Sequence, residues 1–219
     1  MINPVVLIGE PLSFKDKLFI YPPKVKDVVC NPKLLIYERI LTLTQEDIQE
    51  ELQKEGIVLE HYPTPFEFLL SNCYNNENVR NLTIEAFEFF CHVKITFLFN
   101  EKKIIVGDLK QQMLNGEKIS GIQYLLEEEY FLFQNMIRIS MGSNPIEPPE
   151  PLDPNENPAV RRIKELARKR DRIKAKQKRK DGISTSTCLT AICCMGIGIT
   201  PLNIGEMSYA SVGELMKMM

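Results

Sequence analysis

The chain has 219 residues, 44% of them hydrophobic. This length and hydrophobic content are sufficient for one or two domains with a buried core. The formal net charge at pH 7 is −2. The small net charge conceals a separation of charge. Residues 161–180 carry twelve Lys and Arg against two acids, a net of +10, whereas residues 1–160 carry 24 acids against 14 bases, a net of −10. This pattern excludes a uniformly basic nucleic-acid-binding protein and indicates an acidic body with one basic segment, the basic arm (residues 161–180).

The beginning of the chain predicts two short strands followed by helices. Residues 5–9 (VVLIG) and 17–23 (KLFIYPP) have strand composition, and paired prolines end the second strand. From residue 33 to residue 41 the apolar spacing is helical. Thr44, followed three residues later by an acid, is a predicted N-cap for a second helix over 45–55.

The middle of the chain predicts two more helices and a β-hairpin. The segment 64–74 starts with a capping threonine and has proline at its first helical position, and residues 83–93 place their apolar side chains on one helical face. The spacing then changes, and residues 94–99 and 102–107 are predicted to pair as a hairpin across a two-residue turn. The turn lacks the usual glycine.

The next segment, 121–141, returns to the 3–4 spacing of a helix, with Glu127–Glu129 predicted as its solvated acidic face. Gly142 ends this helix. Six prolines and four acids follow within residues 144–158, a composition typical of an extended, poorly packed segment. This stretch is the clearest domain boundary in the sequence.

The predicted fold class is therefore α+β: mostly helical, with a short N-terminal strand pair and a β-hairpin. We divide the chain into an acidic α+β body (1–142), a proline-rich and acidic linker (143–160), a basic helical connector (161–182) and a small all-α C-terminal unit (183–219). Forty residues rarely bury a stable core unaided, so the last unit is expected to complete itself against another surface.

Within the C-terminal unit, residues 187–199 are apolar on all sides, as a buried helix would be. Ser208 is the predicted N-cap of a final helix, whose apolar residues recur at helical spacing and are rich in methionine, a side chain that repacks readily around different partners. The candidate partner-binding residues of this unit are Ile192, Met195, Met207, Val212, Leu215, Met216 and Met219. The alternative is that these residues pack on the body, and the sequence leaves both open.

No motif indicates catalysis. The chain contains no Walker loop, no G-x-G-x-x-G and no G-x-S-x-G, and its six cysteines and two histidines have neither metal-ligand nor disulfide spacing. We expect buried thiols in a reducing cytoplasm, no metal, no cofactor and no enzymatic activity. The N-terminus lacks a signal-peptide pattern and no apolar run is long enough to cross a bilayer, so a soluble intracellular protein without membrane contact is expected.

The basic arm has two interpretations. Its charge would attract a phosphate backbone, but it contains no Phe, Tyr or Trp to stack on bases. The acidic body would also repel nucleic acid, so a connector or protein-contact role is favoured. Val160, Ile163, Leu166 and Ala167 form a partial apolar stripe at its start, which predicts a docked helix that continues as an exposed rod. The candidate residues of the arm are Arg161, Arg162, Arg168, Lys169, Arg170, Arg172, Lys174 and Lys176.

In its order of elements the chain resembles the tail assembly chaperones of long-tailed bacteriophages. The resemblance is carried by LFIYPPKVKDVV (18–29), TPFEFLL (64–70) and MIRISMG (136–142), then the proline-rich break, the basic arm and the segment from CLTAICC to the final methionines (188–219). It covers most of the chain, and none of these motifs is catalytic.

The resemblance implies a scaffolding role in the cytoplasm of the host bacterium. Such chaperones coat the tape measure protein, keep it soluble, help tail tube subunits polymerise around it, and are absent from the mature virion. Self-association is also expected. Two alternatives remain: a minor virion structural or tail-completion protein, and a nucleic-acid-binding regulator that acts through the basic arm.

Overall fold

The computed structural model describes residue 6 and residues 8–107, 123–146 and 203–217, together with isolated positions between 159 and 199. The chain forms two compact units. One contains Met1–Pro145 and Leu202–Met219, and the other contains Ile146–Pro201. The described residues are mostly helical with a few short antiparallel strands in two small sheets, which confirms the α+β fold class.

The first sheet is a hairpin of β1 (Leu12–Phe14) and β2 (Leu18–Ile20). The strand predicted over 17–23 is thus present. The strand predicted over 5–9 is wrong where it is described, because Val6 is helical and buried and a turn follows at Ile8 and Gly9. Gly9 has φ +80°, which glycine adopts without the steric cost of a side chain.

Three helices follow: α1 (Val25–Cys30), α2 (Leu34–Thr42) and α3 (Gln45–Lys54). The predicted cap of α3 is confirmed. The Asp47 backbone N–H donates to Thr44 Oγ1 at 3.2 Å, and the Thr44 backbone N–H donates to Asp47 Oδ2 at 3.2 Å. Two of the N–H groups that a helix start leaves unpaired are satisfied in this way.

Helices α4 (Pro65–Asn75) and α5 (Glu77–Cys91) pack against each other, and α5 also packs against α2. The predicted start of α4 is confirmed, since the Glu67 backbone N–H donates to Thr64 Oγ1 at 3.2 Å. Helix α5 begins six residues before the predicted position. Asn76 caps it by accepting from the backbone N–H groups of Asn78 and Val79, a signal that precedes the first apolar residues of the helix.

The second sheet has the strand order β3 (Ile95–Leu98), β4 (Lys103–Val106), β5 (Gln123–Leu125), and both pairings are antiparallel. The predicted hairpin is present, but its connection is longer than two residues. A 3₁₀ turn (Phe99–Glu101) and Lys102 at φ +50° join the strands. The longer connection explains why the turn can form without the glycine that a two-residue turn favours.

Helix α6 (Glu127–Ser140) is shorter than predicted. The prediction of helix over 121–141 is wrong for residues 123–125, which form β5 beside β4, with Leu125 fully buried. A short apolar run occurs both in buried helices and in buried strands. The spacing of apolar residues therefore did not distinguish strand β5 from the first turn of a helix. The prediction of a solvated acidic face is wrong for Glu129, which is only 7% exposed, whereas Glu127 and Glu128 are exposed.

Helix α6 crosses the centre of the body. The Phe133 ring stacks on that of Phe87 in α5, with centroids 5.0 Å apart, and meets Phe14 of β1 edge-on at 5.8 Å. Two polar side chains of α6 satisfy carbonyl groups at the end of α2: the Tyr130 hydroxyl donates to the Leu41 carbonyl at 3.2 Å, and Gln134 Nε2 donates to the Leu43 carbonyl at 2.8 Å. Burial raises the pKa of the Tyr130 hydroxyl, so it remains a donor.

The described part of the predicted C-terminal unit packs on the body. A 3₁₀ turn (Ile204–Glu206) and helix α7 (Tyr209–Lys217) contact α1, and Ala210 belongs to the same buried core as the body helices. The apolar residues of this segment complete the core of the body, and Leu202–Met219 belongs to the same compact unit as Met1–Pro145. Of the predicted buried helix at 187–199, only Cys193, which is helical, and Ile199 are described.

Candidate interaction surfaces

The final helix divides the candidate partner-binding residues into buried and exposed groups. Val212 is buried, Met207 and Leu215 are half-buried, and Met216 is 38% exposed. Part of the predicted contact face therefore serves the core, as the alternative interpretation held. Ile192, Met195 and Met219 lie outside the described residues.

Backbone hydrogen bonds hold the segment before α7 against the start of α1. The Tyr209 N–H donates to the Pro23 carbonyl at 2.9 Å, and the Val25 N–H donates to the Met207 carbonyl at 3.0 Å. Ser208 pairs with Lys24 as an isolated antiparallel bridge. The segment thus joins the body through main-chain pairing, which the spacing of apolar side chains does not reveal.

An ion-pair cluster lies at the same junction. Glu206 accepts hydrogen bonds from Lys24 Nζ at 2.8 Å and from Lys26 Nζ at 2.7 Å. These two lysines lower the pKa of Glu206 to about 2. All three side chains are about half exposed, so solvent screens the attraction and the cluster mainly fixes the position of the turn.

The basic arm is described only at some positions. Arg162 and Arg170 are helical and exposed. The other predicted arm residues, Arg161, Arg168, Lys169, Arg172, Lys174 and Lys176, lie outside the described residues. The apolar stripe at the start of the arm is exposed: Val160 by 44%, Ile163 by 65% and Leu166 by 59%.

Consecutive exposed aliphatic residues occur at two further places. On α2, Leu35 is 71% exposed and Ile36 is 46% exposed, while Leu34 and Tyr37 of the same helix are buried. In the loop after α3, Ile57, Val58 and Leu59 are 41%, 79% and 42% exposed. Sequence reasoning did not identify these positions, because apolar neighbours in an unbroken run do not show which of them faces the core.

An open groove of about 310 Å³ lies between α4 and the tip of the β3–β4 hairpin. Tyr74 and Phe99 line it, with rings edge-to-face and centroids 5.3 Å apart, and Tyr74 is 67% exposed. Glu67 accepts a hydrogen bond from Lys102 Nζ at 2.7 Å at the groove. This hydrogen bond lowers the pKa of Glu67. The groove offers an aromatic surface beside a charged pair.

The cysteines and histidines do not form a reactive centre within the described part of the chain. Cys73 and Cys91 are buried, as expected, and burial raises the pKa of both thiols, that of Cys91 to about 12. Cys30 is exposed, so the expectation of buried thiols is wrong for that residue. Exposed His92 stacks on Tyr21 with ring centroids 4.0 Å apart. No group of three or more His, Cys, Asp or Glu among the described residues could hold a metal ion.

None of the helices in the described part of the chain combines the length and the apolar character that a membrane span requires. Comparison of the chain with models of protein families, with curated proteins and with solved structures found no significant match. Any functional assignment therefore rests on the residues themselves.

Proposed function

We propose that this protein is a non-enzymatic assembly chaperone of a long-tailed bacteriophage. It binds the tape measure protein in the cytoplasm of the host bacterium, keeps it soluble, assists polymerisation of tail tube subunits around it, and does not remain in the mature virion. The proposal starts from the resemblance in the order of sequence elements, and one structural observation supports it.

That observation is the exposure of consecutive aliphatic side chains on an otherwise well-packed body. Single exposed aliphatic residues are ordinary on soluble proteins, whereas large contiguous apolar patches mark interaction surfaces. Leu35 and Ile36 lie on the outer face of α2, and Ile57–Leu59 lie in a loop flanked by Glu55 and Glu60. A long helical partner with apolar stripes would gain stability by covering such residues, and a chaperone must offer this contact repeatedly.

The outer edge of the C-terminal helix extends this observation of exposed apolar side chains. Met216 is exposed and Leu215 half-buried, so these two can contact a partner while Val212 anchors the helix to the body. Methionine suits such an edge because its flexible side chain adapts to different neighbours.

Coexpression tests the proposal directly. The tape measure protein encoded by the same phage is produced alone, with the wild-type chain, and with the variant Leu35→Gln/Ile36→Gln. We expect the wild type to shift the tape measure protein into the soluble fraction and to copurify with it. The variant should do so less well, because two exposed aliphatic side chains are lost without a change of charge.

A matched control is Lys33→Gln/Arg39→Gln, which alters two exposed residues of the same helical segment and leaves the aliphatic ones in place. Among the described residues, both side chains form surface ion pairs, to Glu85 and Glu51, which contribute little to stability. The control should solubilise the tape measure protein as the wild type does. If the wild type itself has no effect on tape measure solubility, the proposed function is wrong.

Mass spectrometry of purified particles separates the chaperone from a minor virion structural or tail-completion protein. A chaperone should be absent from particles that contain the tape measure protein. Recovery of this chain in stoichiometric amounts from intact virions would identify a structural component instead.

A further inference from the structure

The start of the basic arm presents an unusual helical surface. Val160, Ile163 and Ala167 are helical and exposed, and they follow one another at spacings of three and four residues. That spacing places them along one narrow seam of a helix, the pattern by which two helices pack side by side. Leu166, also exposed, borders the seam.

The same seam continues into positive charge. Arg170 is helical and exposed, and it follows Ala167 by three residues and Ile163 by seven, so it lies on the same side of the helix. Residues 161–180 as a whole carry a net charge of +10 from twelve basic and two acidic residues. Among the described residues, the seam therefore changes from aliphatic to cationic at Arg170.

We propose that this surface, the arm seam (Val160, Ile163, Ala167 and Arg170), binds an acidic amphipathic helix of a partner protein. The partner helix has apolar side chains opposite Val160, Ile163 and Ala167, and a carboxylate opposite Arg170. The inference rests on the proposed function, since it specifies which segments of the tape measure protein the chain would select.

Charge complementarity and the width of the seam favour this occupant over three others. A second copy that docked arm to arm would bring two charges of +10 together, which is repulsive. Nucleic acid would leave the aliphatic side chains uncovered, and the arm offers no aromatic side chain for stacking. Membrane-surface helices usually present a broad apolar face with bulky anchors, whereas here the aliphatic residues form a single seam two turns long.

The test measures binding of the full chain to a labelled synthetic peptide by fluorescence anisotropy. The peptide carries leucine at positions a and d of its first two heptads. In the next two heptads it carries glutamate at positions a and d and at the positions beside them. A scrambled peptide of the same composition is the control. We expect the wild type to bind the patterned peptide, with an affinity that falls as salt rises, and to bind the scrambled peptide much more weakly.

Two variants examine the two halves of the seam. Ile163→Gln should weaken binding by about tenfold, because a buried aliphatic contact is lost. Arg170→Glu should weaken binding to the glutamate peptide and make the remaining binding less dependent on salt. Because both positions are exposed, circular dichroism should show an unchanged fold. Equal binding of the scrambled peptide, or no effect of Ile163→Gln, would overturn the inference.

The other occupants are measured in parallel. The acidic helix is not the occupant if the chain binds phosphatidylserine vesicles or a DNA duplex more tightly than the patterned peptide. It is also not the occupant if sedimentation shows self-association that Ile163→Gln abolishes. Coexpression separates this inference from the proposed function. If Ile163→Gln solubilises the tape measure protein as well as the wild type, the arm seam is not the contact, although the chaperone role stands.

Discussion

Lys17 and Glu129, which are 112 residues apart in sequence, form a hydrogen-bonded ion pair in which Lys17 Nζ lies 2.5 Å from Glu129 Oε2. Lys15 Nζ approaches Oε1 of the same carboxylate at 3.2 Å, and Lys17 Nζ also donates to the Tyr124 carbonyl at 2.9 Å. One carboxylate of α6 thereby fixes the tip of the first hairpin beside strand β5.

Glu129→Gln should destabilise the body by about 2 kcal/mol, because a largely buried carboxylate loses charged hydrogen bonds from two lysines. The control is Glu128→Gln, an exposed neighbour on the same helix turn whose loss should change stability by less than about 0.5 kcal/mol. Urea denaturation of both variants measures the difference. Equal stabilities for the two variants would show that the ion pair contributes nothing.

The ion pair between Glu129 and Lys17 makes the stability of the body depend on pH. Burial alone would raise the pKa of Glu129, but the hydrogen bonds from Lys17 and Lys15 outweigh it and lower the pKa below the ordinary 4.5. A lowered pKa gives stability that is present above the ordinary pKa and is lost as pH falls through the lowered one. The difference in the free energy of unfolding between wild type and Glu129→Gln should therefore be largest at pH 7 and should disappear as pH falls below 4.5. A difference independent of pH would contradict the assignment.

Two residues in the turn of the first hairpin have a strained backbone conformation that substitution by glycine would relieve. Lys15 and Asp16 have φ of +46° and +56°, a region that side chains other than glycine occupy at a cost of roughly 1–2 kcal/mol. Asp16→Gly should raise the free energy of unfolding by up to about 1 kcal/mol, since the described side chain of Asp16 has only a marginal 3.5 Å contact with Ser13 to lose. Lys15→Gly is the informative comparison, because it relieves strain but removes a partner of Glu129. Thermal melting should rank Asp16→Gly above Lys15→Gly.

Local signals in the sequence predicted helix starts well. The caps at Thr44 and Thr64 depend on residues within one turn, so their chemistry is visible without the fold. The hairpin of β3 and β4 was predictable for the same reason. In contrast, β5 pairs with β4 across sixteen intervening residues, 107–122, and no local pattern distinguishes its residues from the first turn of the helix that follows.

The surfaces were harder to predict than the elements. Glu129 stands in a run of three glutamates, and only the position of the first hairpin determines that one of them is buried. The final helix shows the same limitation. Its apolar spacing indicates a face, but whether that face meets the body or a partner depends on main-chain pairing with residues 23–25, far away in sequence.

Limited proteolysis should cut the chain within residues 144–158, where prolines and acids predict an extended backbone. A boundary between the two compact units falls at Pro145 and Ile146. Because Ala210 lies in the core of the body, we expect the two fragments to remain together in size-exclusion chromatography and to separate only in denaturing gels. Preferential cleavage within 82–107, or loss of the C-terminal fragment under native conditions, would contradict this organisation.

Val212→Asp and Met216→Asp distinguish the two roles of the final helix. Val212 is 2% exposed, and an unpaired carboxylate at a buried position costs about 2–5 kcal/mol, so the thermal midpoint of this variant should fall markedly. Met216 is 38% exposed, and its replacement should leave the midpoint nearly unchanged. If the outer edge of the helix contacts the tape measure protein, Met216→Asp should remain folded yet solubilise the coexpressed partner less well. A Met216→Asp variant that melts early would place this residue in the core, and one that matches the wild type in both assays would remove the final helix from the partner-binding surface.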